Sequence, residues 1–368
     1  MDLFEDLPEP SAPAKEDKLG LNDSSAHHPV VGLSSGLFDD LPSVAAVNPD
    51  NAGSVIGMKR KSASDDDDLC QNNKMKCVDG AGCYKLCGYF ACRKGERDEM
   101  QDTHVIIDDL MKYAKISAAE LYRLAYYAVF DGHSGSRASK FCEKNMHKYI
   151  VDQIQKGDLS QLEKDVKKIL TESYRKTDED FLKEATKQKP AWKDGSTATT
   201  MLVVNNNVYL ANIGDSKAIL CRENEAKQVA LTLTKDHNAE VYEERMRIQK
   251  AGGVVRDGRV MGVLEVSRSI GDGQFKKQGV TCLPDIKRCQ LTEKDKYLVI
   301  ACDGLWKTMT PDEVMKIVQE VKDTSQQTEC RSSEDGFWDA VCNRLANESV
   351  RRLSGDNVTV IIISIKPK

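Results

Sequence analysis

The chain has 368 residues, of which 40% are hydrophobic and 30% are charged, and its net charge is −5. This length supports one large globular domain or two small ones, and the acidic balance excludes a general basic surface for nucleic acid. No run of about 18 apolar residues is present, so we expect no membrane span. The N-terminal MDLFEDLPEP lacks the basic and apolar regions of a secretory signal. We therefore expect a cytoplasmic protein with reduced cysteines and, by default, a monomer.

Residues 1–85 differ in composition from the rest of the chain. Six of the ten prolines lie within the first 50 residues, and Phe4 and Phe38 are the only aromatic residues before residue 80. Such a segment has too little apolar surface to offset the entropy that ordering removes. We predict a disordered N-terminal tail over 1–85 and a globular domain over 86–368.

Two motifs in the tail are candidates for binding other proteins. LFEDLP at 3–8 and LFDDLP at 37–42 form a repeat whose apolar residues suit a partner's groove, with composition bias as the alternative. The basic cluster at 59–61 precedes a run of aspartates and is a potential nuclear import signal, with ordinary solvated charge as the alternative. Cys77, Cys83, Cys87 and Cys92 lack the CxxC spacing of a zinc knuckle, so we expect no zinc site.

From residue 86 onward, short apolar runs end in Gly, Asp or Asn, which is typical of strands. The main runs are YYAVF (126–130), TTMLVVNNNVYLANI (199–213), AILC (218–221), KYLVIAC (296–302) and VTVIIISI (358–365). Asn205 to Asn207 between two runs predict a hairpin, hence antiparallel pairing. Apolar residues from Leu162 to Phe181 recur at helical spacing, and Thr310 with Pro311 predicts a capped helix start. We predict an α+β fold with an antiparallel sheet core and helices outside it.

Four aspartates lie at the ends of predicted strands. Asp131, Asp215 and Asp303 each follow a strand, whereas Asp356 precedes one. Because the start of an antiparallel strand lies beside the ends of its neighbours, we expect the four carboxylates to meet at one edge. Clustered carboxylates repel one another unless a cation neutralises them, and oxygen ligands suit Mg²⁺ or Mn²⁺. A common turn dipeptide, Asp-Gly, is the simpler explanation for two of these positions.

Two further residues suit chemistry at such a site. His133 is positioned to donate a proton to a leaving alkoxide, with a structural histidine as the alternative. The guanidinium of Arg97 matches a phosphate group, with an ordinary surface arginine as the alternative. Two metal ions and an arginine fit hydrolysis of a phosphate monoester. The residues alone therefore indicate a metal-dependent phosphoester hydrolase.

Eight motifs occur in a characteristic order: ERDEMQDTH, VFDGHSG, DGSTATTMLV, ANIGDSKAIL, GVLEVSRSIGD, LPDI, ACDGLW and GDNVTVII. Together they resemble the type 2C, metal-dependent serine/threonine protein phosphatases over about residues 86–365. The resemblance implies a central β-sandwich of two antiparallel sheets flanked by helices on both sides. It also implies two Mn²⁺ or Mg²⁺ ions bridged by a water nucleophile, and phosphoprotein substrates. The LF-containing opening and AWKDGSTAT resemble a branch of the family for which integrin-linked kinase is the implied partner.

The resemblance assigns metal ligands residue by residue. Asp131 would bridge both metals, and the carbonyl of Gly132 would bind one of them. Asp303 and Asp356 would bind the other metal. Asp215 matches the acid of a weaker third metal site.

The resemblance also assigns the catalytic residues. His133 would be the general acid, Arg97 would hold the substrate phosphate and Asp102 would orient metal-bound water. Gln101 stands where many members have Glu, which removes one negative charge near the second metal. Lys217, Ala239 and Ser134 are further departures from common family residues. None of these departures removes a metal ligand, so we expect an active enzyme.

Two other functions remain to be weighed. A pseudophosphatase scaffold would bind a kinase or phosphoprotein without turnover, but the intact aspartates argue against it. A cysteine phosphatase needs a nucleophilic Cys and an Arg six residues later, joined by a glycine-rich loop. Cys87 with Arg93 and Cys282 with Arg288 have this spacing, but neither intervening loop is glycine-rich.

Overall fold

The protein is described here by a computed structural model, which covers residues 84–117, 121–225, 227–327 and 333–367. The LFEDLP and LFDDLP segments, the basic cluster at 59–61, Cys77 and Cys83 all lie outside the described residues. Within the described residues, no helix combines the length and the apolar composition that crossing a membrane requires.

Two five-stranded antiparallel sheets form the centre of the domain. The first has the strand order β1-β15-β14-β8-β9, and the second has the order β13-β7-β6-β3-β2. The strands of the first sheet are β1 Tyr84–Arg93, β8 Lys217–Asn224, β9 Lys227–Thr232, β14 Asp295–Ala301 and β15 Val358–Pro367. Those of the second are β2 Thr103–Ile107, β3 Leu124–Phe130, β6 Ala198–Val204, β7 Asn207–Ile213 and β13 Asp285–Gln290. The predicted sandwich of two antiparallel sheets is confirmed.

Side chains on alternate positions of each strand face different layers. Tyr127 and Val129 of β3 lie in the core between the sheets, whereas Tyr126 and Ala128 face the helices outside the second sheet. This alternation follows from the two-residue period of a strand. Ile361 of β15 likewise faces the other sheet, while its neighbour Ile362 faces outward. The result is four layers, with helices covering both outer faces.

The longer helices provide those outer layers. The helices are α1 Leu110–Ala114, α2 Arg137–Lys156, α3 Leu162–Ala185, α4 Tyr242–Lys250, α5 Asp303–Trp306, α6 Pro311–Gln327 and α7 Glu334–Arg351. Helices α2 and α3 pack on the second sheet, and α6 and α7 pack on the first. The predicted apolar face of α3 is buried along its whole length, from Leu162 to Phe181.

Local sequence signals explain two of the element boundaries. Asn205 has a φ of 56°, the left-handed conformation that a tight turn between β6 and β7 needs and that Asn tolerates. At the start of α6, the Glu313 N–H donates to Thr310 Oγ1 at 3.3 Å and the Thr310 N–H donates to Glu313 Oε2 at 2.8 Å. This reciprocal pair is a capping box, so the predicted helix start is confirmed.

A small separate cluster lies outside the sandwich layers, within residues 238–284, which we call the side lobe. Helix α4 and the paired strands β10 Val255–Arg256 and β11 Arg259–Val260 belong to it. Its buried apolar residues are Ala239, Ile248, Val260, Leu264, Val266, Phe275 and Val280. The remaining short strands β4 Gly132–His133, β5 Gly195–Ser196 and β12 Ile270–Gly271 form a three-stranded sheet.

Candidate active site

The four aspartates at strand ends meet in one cavity. Asp131 directly follows β3, Asp303 begins α5 after β14, Asp215 follows β7 and Asp356 precedes β15. All four line a cavity of about 380 Å³, together with Arg97 and His133. Carboxylate oxygens of Asp131, Asp215 and Asp303 lie within 4.8 Å of one another. The antiparallel arrangement therefore brings together the residues that the strand-end argument selected.

The side lobe forms another part of the cavity wall. Arg259, Leu264, Val266 and Phe275 line the same cavity as the aspartates. Arg259 is paired with Glu265, which also lines the cavity. Residues outside the sandwich thus contribute both apolar and charged groups to the wall of the cavity.

Asp102 lies deeper than the other acids and does not line the cavity. One of its carboxylate oxygens lies within 4.8 Å of ligand atoms of Asp131 and Cys302. Its Oδ2 accepts a hydrogen bond from Thr359 Oγ1 at 2.8 Å, and its Oδ1 is buried without a partner among the described residues. The Cys302 thiol already donates to the Asn357 carbonyl at 3.3 Å and accepts from the Thr359 N–H. The Cys302 thiol therefore has its hydrogen-bond partners, and the carboxylates are the side chains of this cluster that are suited to bind a metal ion.

Burial and repulsion between neighbouring carboxylates raise the pKa of three acids of this cluster. Burial, followed by repulsion from Asp102 and Asp303, raises the pKa of Asp131 well above its usual value. Burial and the Asp303 charge raise the pKa of Asp215 to about 7, with Lys307 opposing the shift. The pKa of Asp102 rises to about 6, chiefly because the carboxyl is buried. A bound divalent cation would reverse this balance by favouring the ionised carboxylates.

The donor set fits Mn²⁺ or Mg²⁺. Asp102 Oδ1 and Asp303 Oδ1 are buried and have no hydrogen-bond partner among the described residues. Buried polar oxygens normally have a partner, and two unpartnered carboxylate oxygens in one cluster are suited to bind a cation. Hard divalent cations prefer such oxygen ligands, whereas zinc sites are richer in sulfur and nitrogen.

The His133 side chain is held by Asp272, a residue to which the sequence motifs assigned no role. His133 Nε2 lies 2.7 Å from Oδ2 of Asp272, which is almost fully buried. Burial alone would lower the pKa of His133, but the Asp272 carboxylate outweighs it and raises the pKa above its usual value. Asp272 therefore orients the imidazole beside the aspartate cluster and favours its protonated form, which is the form a general acid needs.

Arg97 lies at the cavity on an anchored loop. Its side chain is 58% exposed and donates from Nη2 to Asp356 Oδ2 at 2.9 Å. The side chain of Asn357 fixes the loop from both sides, because Nδ2 donates to the carbonyls of Lys94 and Glu99 and Oδ1 accepts from the Gln101 N–H. An exposed guanidinium with spare donors on a fixed loop is suited to binding a phosphate group.

Comparisons with known proteins identify the family. A family model of protein phosphatase 2C matches residues 88–358. The chain belongs to this family. The integrin-linked kinase-associated serine/threonine phosphatase 2C of Bos taurus is 47% identical, and its Homo sapiens counterpart is 48% identical, each across 99% of this chain and 100% of the relative. Probable protein phosphatase 2C 67 of Oryza sativa subsp. japonica is 36% identical across 74% of this chain and 73% of its own.

Solved structures show the same fold at lower identity. The crystal structure of a serine-threonine phosphatase 2C from Toxoplasma gondii has a TM-score of 0.63 at 18% identity and covers 76% of this chain and 95% of that one. A C. elegans sex determining protein has a TM-score of 0.65 at 22% identity, with 76% and 64% of the two chains covered. The phosphatase 2C fold inferred from the motifs is therefore confirmed.

The family departures noted in the sequence leave the acidic cluster intact. Gln101 lines the cavity, and its backbone carbonyl accepts a hydrogen bond from the Ser139 hydroxyl. Lys217 is paired with Asp236 at 3.3 Å, and Ala239 is buried in the side lobe. Ser134 has a φ of 58° and lines the cavity next to His133.

The structure also argues against a cysteine phosphatase. Arg93 lies in β1 and donates to Asn343 and Asn347 of α7. Arg288 lies in β13 and donates to Asn207. Both guanidinium groups are held by amide side chains rather than by a phosphate-binding loop, so neither Cys–Arg pair has the arrangement of a cysteine phosphatase.

Two residues of this phosphatase 2C site were not predicted from the sequence. Asp272 lies within the GVLEVSRSIGD motif, but only the folded chain brings it to His133. Lys307 bonds Asp303 Oδ2 at 2.5 Å and lies 3.8 Å from Asp356 Oδ2. Its spacing of four residues from Asp303 is the signal that would have revealed it, because residues four apart lie on the same face of a helical turn.

Proposed function

We propose that this phosphatase 2C hydrolyses phosphoserine and phosphothreonine in proteins at a dinuclear Mn²⁺ or Mg²⁺ site. The observation that carries the proposal is the single cavity in which four aspartates meet Arg97 and His133. The unpartnered buried oxygens of the cluster support a cation there. Divalent cations supply Lewis-acid activation of the phosphate and of water when they are bound.

The ligand roles follow from position in the cluster. Asp131 is central, since its oxygens approach both Asp102 and the Asp215–Asp303 pair. We assign Asp131, Asp303 and Asp356 as the principal metal ligands, with Gly132 contributing its carbonyl. Asp215 contributes charge at the edge of the cluster.

The other residues of the site handle substrate and proton. Arg97 exchanges its single bond with Asp356 for bonds to the substrate phosphate, which holds the ester over the aspartates. His133 donates its proton to the serine or threonine oxygen as that oxygen leaves. Asp272 keeps the imidazole in place throughout, and Asp102 orients water from beneath Asp131.

The decisive experiment is hydrolysis of a phosphothreonine peptide in EDTA and then with added Mn²⁺ or Mg²⁺. We expect activity only with metal, and we expect Asp303→Asn to reduce the rate at least about 100-fold because a ligand charge is lost. Asp312→Asn, an exposed acid in the first turn of α6, is the matched control and should retain full activity. Circular dichroism should show both variants folded.

Two results would contradict this function. One is activity that survives in EDTA, and the other is a near-normal rate in Asp303→Asn. An inactive scaffold would show metal binding without turnover in the wild type. The site gives no support to that alternative, because Asp131, Asp303, Asp356, His133 and Arg97 all reach the same cavity.

We further propose that this phosphatase acts in kinase signalling, with integrin-linked kinase as a partner. Support comes from the relatives called integrin-linked kinase-associated, whose similarity extends over 99% of this chain rather than over the phosphatase domain alone. Co-precipitation of the two purified full-length proteins tests this, and the absence of binding would oppose it.

A further inference from the structure

One cation of the chain itself already lies against the acidic cluster. Lys307 follows directly after α5, and its ammonium bonds Asp303 Oδ2 at 2.5 Å and approaches Asp356 Oδ2 to 3.8 Å. Most lysine pairs on protein surfaces involve one exposed carboxylate and contribute little. This ammonium instead contacts two of the acids assigned above to metal binding.

The contact is selective for the outer side of the cluster. Lys307 bonds the Oδ2 atom of Asp303, whereas Oδ1 of the same carboxylate is buried and has no partner among the described residues. The Lys307 side chain is 54% exposed, so the ammonium reaches the cluster from the solvent side. One oxygen of Asp303 is thereby engaged by the lysine, and the inner oxygen stays available to a metal ion.

Two cations of the chain offset part of the negative charge of the cluster. Five ionised carboxylates, those of Asp102, Asp131, Asp215, Asp303 and Asp356, carry five negative charges. The Lys307 ammonium offsets one of these charges, and the Arg97 guanidinium, bonded to Asp356 Oδ2, offsets another until it binds the substrate phosphate. At most four negative charges then remain, which two divalent cations neutralise. Like charges at short range repel strongly in a partly buried site, so a further divalent ion would enter against the lysine.

We propose that Lys307 is a built-in cation of the metal site, which limits the cluster to two divalent ions and weakens binding on the Asp215–Asp303 side. It is a positioning residue, because it acts on the metal ligands and not on the substrate. On this proposal, the Lys307 ammonium takes the place of the weak third metal ion that the family resemblance implies at Asp215. This inference rests on the metal site of the proposed function.

The test is a Mn²⁺ titration of the full-length, metal-stripped protein by isothermal calorimetry. Lys307→Met removes the charge and keeps the length, and we expect its weakest resolved Mn²⁺ step to tighten at least about tenfold. Lys307→Arg keeps the charge and should stay within about threefold of the wild type. Lys316→Met is the matched control, since Lys316 on α6 is 76% exposed and lies 4.0 Å from Glu320.

Thermal stabilisation by Mn²⁺ is a second measurement that does not depend on enzyme activity. A ligand that binds only the folded state raises the melting temperature, and tighter binding raises it further. The Mn²⁺-induced rise in Tm should therefore be larger in Lys307→Met than in the wild type or Lys316→Met.

Each outcome decides the proposal. Unchanged or weaker Mn²⁺ binding in Lys307→Met overturns the role of the lysine while leaving the proposed function standing, provided that the wild type binds Mn²⁺ and hydrolyses phosphopeptide. Absence of Mn²⁺ binding in the wild type removes the metal site, and the inference falls with it.

Discussion

Gly195 leaves room for the contact between His133 and Asp272. Strands β4 and β5 pair His133 with Gly195, and a Cβ at position 195 would run into Asp272 Oδ2 and His133 Nε2. We expect Gly195→Ala to lower turnover at least about tenfold, because the proton donor and its aspartate would have to separate. Steady-state hydrolysis of a phosphothreonine peptide measures the effect.

Gly157, at the C-terminal end of α2, provides the comparison. A Cβ there would meet no atom closer than 3.5 Å, which is ordinary contact. Gly157→Ala should therefore leave turnover within about twofold. If Gly195→Ala is equally harmless, the His133–Asp272 contact is not needed for proton transfer.

Sequence reasoning reached the acids of the site but not all their neighbours. Asp131, Asp215, Asp303 and Asp356 were found because each borders a strand that its apolar residues reveal, and antiparallel pairing then fixes which strand ends meet. Asp272 borders no long strand and has a φ of 50°, so only tertiary structure brings its side chain to the histidine. A contact between residues 139 positions apart leaves no periodic pattern in the sequence.

The loop that carries Arg97 depends on one side chain of the segment before β15. Asn357 is 4% exposed and hydrogen-bonds the backbone of Lys94, Glu99 and Gln101. We expect Asn357→Ala to lower the free energy of unfolding by about 2–4 kcal/mol, because buried backbone groups lose their partners. Urea denaturation measures this loss.

The same substitution should affect substrate binding more than a general loss of stability would. A loosened loop displaces Arg97, so we expect KM for a phosphopeptide to rise several-fold at temperatures where the variant is folded. Asn145→Ala on α2 is the control, since the Asn145 side chain donates to the Phe141 carbonyl of its own helix and is not part of the Arg97 loop. An unaltered KM in folded Asn357→Ala would show that Arg97 is positioned by other contacts.

The side lobe is anchored by a buried glutamate. Glu244 of α4 is 2% exposed and accepts hydrogen bonds from Arg268 and Ser267, with Arg247 at 2.8 Å. Burial alone would raise the pKa of Glu244, but these partners outweigh it and lower the pKa to about 2 from a usual 4.5. A depressed carboxyl pKa stabilises the fold above the usual pKa, and this contribution is lost as pH falls toward 2.

Glu244→Gln therefore has a pH-dependent effect. We expect the variant to be less stable by about 3 kcal/mol at pH 7, and this difference should shrink by roughly half at pH 3. Urea unfolding at several pH values provides the measurement, with Glu320→Gln as an exposed control. A difference that stays constant with pH would mean that the arginines do not depress the Glu244 pKa.

Regular elements were predictable where one local signal dominates. The buried face of α3, the Asn205 turn and the Thr310–Glu313 capping box each follow from residues close in sequence. The side lobe was not predicted, because its strands β10 and β11 are two residues long. Such short elements are held by the small apolar cluster and the Glu244 ion pairs, which join residues that are distant in sequence.

At the scale of the whole molecule, the proposed chemistry lies entirely within the sandwich and its side lobe. Every residue assigned to the site lies between Arg97 and Asp356. We expect deletion of residues 1–80, which spares β1, to leave hydrolysis of a small substrate such as p-nitrophenyl phosphate within about twofold. A large loss of this activity would mean that the deleted segment takes part in catalysis or folding.

The pairing of β1 with β15 has a consequence for the timing of protein synthesis. Among the described strands β1 pairs with β15 alone, and the Arg97–Asp356 bond beside that pair joins residues 259 positions apart. A ribosome adds about 5–20 residues per second, so β1 waits roughly 10–50 s for its partner strand to be made. During that interval the nascent chain lacks Asp356 and the anchor of the Arg97 loop. We therefore expect phosphatase activity only after the segment that carries Asp356 and β15 has been made, and none from a nascent chain that still lacks this segment.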